Sequence, residues 1–339
     1  MPSSWPALPR DTIETTMKGP IRLIAVDLDG TLLNSQKRIA PKDAEALRAA
    51  AARGVEIVPV TGRNYHFALS IVQDLLSSGP LISSNGAIIR SKTGETFFRG
   101  LLPAGIAGDV LQLTREFRPY TVLTYDRSGE GQYYIEKPWN GDSPGDSAAP
   151  PDGVAFSPWV QRYSSAVRFT DSLESALEGD PLEIMFAGPV ALMRKVAARL
   201  ENGPSISFRT SRANAPPGSQ SEPRLSRAKP REPQGSGPAQ PPFRLLRTEY
   251  LSRDFCILDV IHWDCSKGHA LKYWSRVRGI PPAEIMAIGD NYNDLEMLQF
   301  AGRPVLMGNA DESLRQQGWP VTLDCDSGGV ACAIEHYVL

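Results

Sequence analysis

The sequence predicts an α/β protein, with a doubly wound parallel sheet in a Rossmann-like core and an α+β domain inserted into that core. Three observations predict it. Short apolar segments alternate with helical segments near both ends of the chain, this alternation stops in the middle, and polar residues follow the apolar segments where strands would end. At 339 residues the chain is also long enough for two domains that each bury a core.

The first ninety residues follow the order β-α-β-α-β. Short, mainly apolar segments are typical of strands buried on both faces of a parallel sheet. Proline at a helix start and glycine after its end mark the first helix. The predicted elements are a strand at 21–26, a helix from Pro41 to Gly54, a strand at 55–60, a helix at 65–76 and a strand at 80–84.

The middle of the chain follows a different pattern, and the α/β order returns near its end. Turn-forming residues between apolar segments predict hairpins in the middle. The predicted elements are hairpins at 87–98 and 121–136, a strand at 182–187, a helix at 189–200, a helix at 267–277, a strand at 285–288, a helix from about Asp294 and a strand at 303–307.

These patterns divide the chain into a core at 18–102 and 263–339 and an inserted domain at 103–262. Residues 1–17 are expected to be a disordered extension. Between Ala213 and Pro242, half of the thirty residues are Pro, Gly or Ser and Leu225 is the only large apolar residue. Such a segment cannot offset its ordering entropy by burial, so a disordered insertion is predicted at about 210–243.

Composition narrows the possible partners. The formal net charge is −2, which gives no general attraction to nucleic acid or to an anionic membrane. No apolar segment approaches the ~20 residues that span a bilayer. The four cysteines show no Cys-x-x-Cys spacing, so neither a zinc site nor a disulfide framework is indicated. We therefore expect a cytoplasmic protein with no nucleic-acid, membrane or obligatory protein partner.

Acidic residues follow the first predicted strand. Asp27 and Asp29 are separated by one residue, so both side chains can face the crevice at the strand end. Thr61 and Asn85 follow the next two strands and should lie at the same edge of the sheet. Paired acids have two functional interpretations, a metal site or a nucleophile with a general acid/base, and a third is that they are ordinary surface acids.

More acids follow the strand at 285–288. Asp290 and Asp294 lie in Gly289-Asp-Asn-Tyr-Asn-Asp, together with Asn293. Several carboxylates at one edge would repel one another, and a hard divalent cation with oxygen ligands relieves this repulsion. Magnesium is therefore the expected cofactor.

An anionic substrate needs donors as well as a cation. Thr61 offers a hydroxyl, Gly62 a backbone amide and Lys267 an ammonium group. These donor types beside a magnesium site predict that a phosphate group binds here.

The motifs together resemble the haloacid dehalogenase-like hydrolase superfamily, and within it the Cof-type phosphatases of subclass IIB. All four superfamily motifs occur in order, which is far more specific than any one motif. The segments that carry the resemblance are Asp27-Leu-Asp-Gly-Thr-Leu-Leu, Thr61-Gly-Arg, Ser84-Asn-Gly-Ala, Ser266-Lys-Gly-His-Ala-Leu, Gly289-Asp-Asn-Tyr-Asn-Asp and Met307-Gly-Asn-Ala.

The resemblance implies a role for each matched residue. Asp27 would be the nucleophile that forms an aspartyl-phosphate, and Asp29 would be the general acid and base. The inserted domain would be the cap that selects the substrate. The other implied roles are phosphoryl binding by Thr61 and Lys267, magnesium binding by Asp27, Asp290 and the backbone carbonyl of Asp29 with Asp294 nearby, orientation of the phosphate by Asn293, and a substrate rim at Asn85 and Gly86.

The predicted function is magnesium-dependent hydrolysis of a small phosphorylated metabolite, such as a sugar phosphate. Two alternatives remain open. The same residues serve a phosphotransferase or phosphomutase acting on hexose phosphates, and a non-catalytic binding protein is the third possibility.

Overall fold

The computed structural model of the chain describes residues 19–76, 79–137, 153–154, 157–202, 242–250 and 253–339. The predicted extension at 1–17 lies outside these ranges, as does the predicted insertion from 210 to 241. None of the helices in the described ranges has the length and apolar character needed to cross a membrane.

The first part of the described chain confirms the alternation of strands and helices. Helix α2 ends at Val72, four residues before the predicted end, and a turn follows in which the amide of Leu75 donates to the carbonyl of Val72 at 2.9 Å. The elements are β1 (Leu23–Asp27), α1 (Pro41–Ala52), β2 (Glu56–Val60), α2 (Tyr65–Val72), β3 (Leu81–Ser83), β4 (Ile88–Arg90) and β5 (Thr96–Arg99).

The middle of the chain contains more regular structure than the sequence pattern predicted. Helix α3 and strands β8, β10 and β11 were not predicted. Glycine at positions 105 and 108 weakens the helical signal of α3, and β8 spans only four residues. The elements are α3 (Ala104–Leu113), β6 (Thr121–Thr124), β7 (Tyr133–Glu136), α4 (Pro158–Arg162), β8 (Val167–Thr170), β9 (Glu183–Gly188), α5 (Val190–Glu201), β10 (Phe243–Tyr250) and β11 (Phe255–His262).

The last part of the chain returns to the α/β order. Helix α9, which the sequence pattern did not predict, packs against α1. The elements are α6 (Lys267–Arg278), β12 (Ile285–Gly289), α7 (Leu295–Phe300), β13 (Arg303–Leu306), α8 (Glu312–Arg315) and α9 (Gly329–Tyr337).

The strands form two sheets. Seven strands in the order β13-β12-β1-β2-β3-β4-β5 make the first sheet, which is parallel from β13 to β3 and antiparallel beyond β3. Six strands in the order β10-β11-β9-β6-β7-β8 make the second sheet. The predicted α/β core with an additional α+β region is therefore confirmed. We call the first sheet with its helices the core and the second the cap.

Apolar side chains cover both faces of the core sheet, because successive residues of a strand point to opposite faces. Ile24 and Val26 belong to the cluster on one face, and Leu23 and Ala25 belong to the cluster on the other. Unlike the core sheet, the cap sheet has one face that is less covered by apolar side chains than the other. One face carries a large cluster around Phe186, and the other carries a small cluster beside which Tyr133, Trp159, Met185 and Ile257 are only partly buried. This less covered face of the cap lines the site described next.

Candidate active site

The carboxyl ends of the central parallel strands bring the predicted site residues together. Asp27 is the last residue of β1, Thr61 directly follows β2, and Asp290 directly follows β12. Lys267 is the first residue of α6, whose preceding Ser266 caps the helix by accepting from the amide of His269 at 3.0 Å. The strand register thus places four motifs that are far apart in sequence at one edge of the core sheet.

A buried lysine lies between two buried carboxylates. The Lys267 ammonium donates to Oδ1 of Asp27 and to Oδ1 of Asp294, each at 2.6 Å. Burial, followed by the negative charge of Asp294, raises the pKa of Asp27 to about 7. Burial acts against the charge of Lys267, but Asp27 and Asp294 raise the pKa of its ammonium above its ordinary value. The lysine is therefore held as a cation beside the Asp27 carboxyl.

Asp294 holds the loop after β12 in place. Its Oδ2 accepts from the backbone amides of Asp290 and Asn291, both at 3.0 Å. Because its Oδ1 already accepts from Lys267, each of its oxygens has a protein partner. This arrangement supports a positioning role for Asp294, or contact with a metal ion through water.

The acidic cluster fits a magnesium ion. Oxygen atoms of Asp27, Asp290 and Asp294 all lie within 4.8 Å of one another, and hard oxygen donors are those that Mg²⁺ prefers. Burial and the charges of Asp27 and Asp294 raise the pKa of Asp290, as expected for carboxylates that lack enough positive charge. A Cβ at Gly30 would lie 2.4 Å from Oδ2 of Asp290, so only glycine leaves this space open.

Asp29 lies outside that cluster and is held by two cations. Arg63 donates to it through Nε at 2.5 Å and Nη2 at 2.6 Å, and Lys37 donates through Nζ at 2.8 Å. Although burial favours the protonated form, the hydrogen bonds and charge of Arg63, then of Lys37, lower the pKa of Asp29 to about 2. Asp29 is therefore a carboxylate in this structure, the form that accepts a proton.

The turn after β3 joins the core to the cap through Asn85. Ser84 and Asn85 have φ angles of 48° and 51°, which are uncommon for residues other than glycine and frequent at functional sites. The Asn85 amide donates to Oδ2 of Asp259 in the cap at 2.7 Å and accepts from Asn293 at 3.1 Å. Asn85 is 1% exposed. Its hydrogen bonds link the core to the cap.

The two glycines of the predicted site have close neighbours. A Cβ at Gly62 would lie 3.0 Å from the side-chain oxygen of Asn85, so Gly62 lets these two loops approach. A Cβ at Gly86 would lie 2.1 Å from the carbonyl oxygen of Ser266, so Gly86 packs against the start of α6. Gly62 lines the cavity described below, whereas Gly86 is not among the residues that line it.

A cavity of about 750 Å³ lies between the core edge and the less covered face of the cap sheet. The predicted residues Asp27, Asp29, Thr61 and Lys267 line its core side. The sequence pattern identified no lining residue on the cap side, because β10 and β11 were not predicted and the orientation of β9 was not inferred. Those residues include Tyr133, Trp159, Tyr163, Glu183, Met185, Tyr250, Phe255 and Asp259.

Comparison with known proteins agrees with this arrangement. The family profile described as haloacid dehalogenase-like hydrolase matches residues 24–209 and 243–334. Phosphatase YwpJ of Bacillus subtilis is 29% identical over 332 residues, covering 93% of this chain and 99% of the relative. Pyridoxal phosphate phosphatase YbhA of Escherichia coli is 24% identical, covering 94% and 99%.

Solved structures show the same fold. A haloacid dehalogenase-like hydrolase from B. subtilis superposes with a TM-score of 0.65 at 24% identity, covering 94% of this chain and all of that one. Another from Bacteroides thetaiotaomicron gives a TM-score of 0.64 at 24% identity, covering 93% and 99%. The resemblance carried by the sequence motifs is confirmed, and the chain belongs to the haloacid dehalogenase-like hydrolase family.

Proposed function

We propose that the chain is a magnesium-dependent phosphatase that hydrolyses a small phosphorylated metabolite through an aspartyl-phosphate on Asp27. One observation carries the proposal. The Asp27 carboxyl lines the cavity between core and cap, paired with Lys267 and within reach of two further carboxylates that suit Mg²⁺. The names of relatives, which include HMP-PP and pyridoxal phosphate phosphatases, support this substrate class.

In the first step, an oxygen of Asp27 attacks phosphorus and the bond to the leaving oxygen breaks, while Asp29 supplies the proton that this oxygen needs. Lys267, the Thr61 hydroxyl and the Gly62 amide hold the phosphoryl oxygens. In the second step, water attacks phosphorus, Asp29 takes a proton from the water, and the bond between phosphorus and Asp27 breaks. Inorganic phosphate leaves and Asp27 is restored.

Asp27, Asp290 and the backbone carbonyl of Asp29 would hold Mg²⁺, with Asp294 close by. When bound, the ion supplies positive charge that stabilises the negative charge of the phosphoryl group. Asp29 has to carry a proton in the first step, although Arg63 and Lys37 favour its ionised form. Phosphate oxygens that compete for these two cations would weaken both ion pairs and so raise the pKa of Asp29.

The test uses the purified chain with MgCl₂ and p-nitrophenyl phosphate. We expect steady release of phosphate by the wild type and a loss of at least 1000-fold in Asp27→Asn, which keeps the shape of the side chain. Asp109→Asn, an exposed position on α3, is the control and should retain activity. Turnover by Asp27→Asn at the wild-type rate would refute the nucleophile assignment. Conversion of a hexose 1-phosphate into its 6-phosphate without phosphate release would support the phosphomutase alternative.

A further inference from the structure

Two acidic side chains of the cap face the cavity and have no part in the steps above. Glu183 lies in β9 and Asp259 in β11, which pair antiparallel with Asp259 opposite Met185. Residues two positions apart share a face of a strand, so Glu183 and Asp259 are diagonal neighbours on one face. Both line the cavity, and they are only 6% and 5% exposed.

This acidic pair lacks a cation. Oδ2 of Asp259 accepts from Asn85, but Oε2 of Glu183 has no hydrogen-bond partner. In the described part of the chain, no lysine or arginine nitrogen lies within 4.0 Å of either carboxyl group. Burial, with the charge of Asp259, raises the pKa of Glu183, and burial raises the pKa of Asp259 to about 7. Two neighbouring buried carboxyls with no cation beside them are costly, and a ligand that donates hydrogen bonds or carries positive charge would relieve that cost.

Aromatic rings stand beside the pair. Tyr133 and Glu183 lie on either side of Thr124, since each pairs with it across the sheet. The Tyr133 and Trp159 ring centroids are 4.8 Å apart, and those of Trp159 and Tyr163 are 5.5 Å apart. These rings offer aromatic faces on which a planar ring can stack.

The acidic pair is connected to the phosphate end of the cavity. Asn85 contacts Asp259 at 2.7 Å and Asn293 at 3.1 Å, and Asn293 lies in the same loop as Asp290. The cavity therefore has donors for a phosphate at the core end and, at Glu183 and Asp259, acceptors that no described lysine or arginine pairs with, although Arg162 and Arg253 also line the cavity. A molecule that spans it would be anionic at one end and a hydrogen-bond donor at the other.

We infer that Glu183 and Asp259 form a leaving-group subsite for a planar nitrogen-containing ring that carries an amino group, stacked against Tyr133 and Trp159. The inference rests on the proposed function, since the phosphate of such a molecule has to lie at Asp27. A sugar also offers donors to carboxylates, but it brings no positive charge to the acidic pair.

The experiment compares three phosphates by kcat/KM: an aminopyrimidinylmethyl phosphate, benzyl phosphate, which has the same size and flat ring without nitrogen, and glucose 6-phosphate. The variants are Glu183→Gln and Asp259→Asn, which keep the side-chain shapes. Glu249→Gln is the matched control, because it removes a cap carboxyl of β10 whose partners are Arg194 and Arg247 and which does not line the cavity.

We expect the wild type to prefer the aminopyrimidine substrate over benzyl phosphate at least tenfold. Each subsite variant should lose at least tenfold on the aminopyrimidine substrate and less than twofold on benzyl phosphate, while Glu249→Gln changes neither. An equal loss on both substrates indicates a structural role and overturns the inference. So does a wild-type preference for glucose 6-phosphate that the same substitutions remove.

Failure of the proposed function can be distinguished from failure of the subsite inference. If the wild type hydrolyses none of these phosphates and no p-nitrophenyl phosphate, the phosphatase proposal is wrong, and calorimetric binding of the aminopyrimidinylmethyl phosphate then tests the subsite. Binding that both variants weaken at least tenfold supports the subsite. Absence of binding, or binding that the variants leave unchanged, overturns it.

Discussion

Lys267 is 1% exposed, and its ammonium group contacts the carboxylates of both Asp27 and Asp294. Removing one partner of a buried ion pair leaves an uncompensated charge, which costs about 3–5 kcal/mol. Lys267→Met should therefore lower the free energy of unfolding by about this amount, and it should also abolish phosphate release. Urea unfolding at pH 7 without magnesium measures the first effect.

Lys272→Met provides the control for this prediction, because Lys272 is exposed on the same helix. Surface substitutions usually change the free energy of unfolding by less than about 0.5 kcal/mol. Equal effects of the two substitutions would show that the triad of Lys267, Asp27 and Asp294 does not stabilise the fold.

At this scale the sequence predicts some site residues better than others. Asp27, Thr61 and Asp290 were predictable because each lies within two residues of the end of an apolar segment, and parallel strands end at one edge of a sheet. The contact between Asn85 and Asp259 was not predictable, because it joins the turn after β3 to strand β11 of the cap, 174 positions apart in sequence. Likewise, nothing in the spacing of Asp29 indicates that Arg63 and Lys37 hold it ionised.

Among the elements, the turn after β3 lies in close contact with the start of α6. Gly86 has a φ of 92°, and a Cβ there would lie 2.1 Å from the carbonyl oxygen of Ser266. Gly86→Ala therefore combines an unfavourable φ with steric overlap that has to move Ser266, the residue that caps α6. We expect a loss of about 3 kcal/mol or more of stability, together with reduced kcat.

Gly94→Ala separates the cost of the backbone angle from the cost of steric overlap. Gly94 has a φ of 94°, but a Cβ at this position would have no other atom within 4 Å, so the variant reports the cost of the backbone angle alone. That cost should be about 1 kcal/mol. If thermal unfolding gives equal losses for both glycines, the close packing against Ser266 contributes nothing.

The cap strands β9 and β11 should make stability depend on pH. Asp259 loses its proton near pH 4 when unfolded but at about 7 when folded, because burial raises its pKa, and burial raises the pKa of Glu183 as well. Between these values the folded state binds more protons, so stability falls as pH rises. Glu183→Gln removes one such group and should gain stability over the wild type at pH 8, on the order of 1 kcal/mol or more, with little gain at pH 5.

Urea unfolding of the wild type and of Glu183→Gln at pH 5 and pH 8 measures this difference in stability. Gly94→Ala adds no titratable group, so its difference from the wild type should be the same at both. A Glu183→Gln variant whose gain is larger at pH 5 than at pH 8 would contradict the assigned burial of a carboxyl at this position.

Helices and strands were predictable from the sequence where the pattern of apolar residues reflects burial in the core. The buried strands β1, β2 and β12 and the helices α1 and α6 lie within two residues of their predicted bounds. The cap strands β10 and β11 were missed, since most residues of β10 are only partly buried and its pattern is mixed. Because β11 carries Asp259, the chemical character of the cap side of the cavity could not be derived from the sequence.

For the whole molecule, the core and the cap meet around a site with excess negative charge. Among the described residues, the carboxylates of Asp27, Asp290 and Asp294 lie close together, and Lys267 forms ion pairs with two of them, Asp27 and Asp294. An ion that binds only the folded state stabilises it by RT ln(1 + [L]/Kd), which is about 1.4 kcal/mol at tenfold excess over Kd. Magnesium should therefore raise the unfolding temperature of the wild type, and EDTA should reverse the rise together with the phosphatase activity.

Salt alone also weakens repulsion between carboxylates, so the control for magnesium is KCl at the same ionic strength. We expect KCl to give a smaller rise than MgCl₂, and we expect Asp290→Asn to lose most of the difference between the two salts, since it removes a ligand while leaving Asp27 and Lys267 paired. The exposed Asp109→Asn should keep that difference. If MgCl₂ and KCl stabilise the wild type equally, or if Asp290→Asn responds to magnesium as the wild type does, this cluster is not the magnesium site.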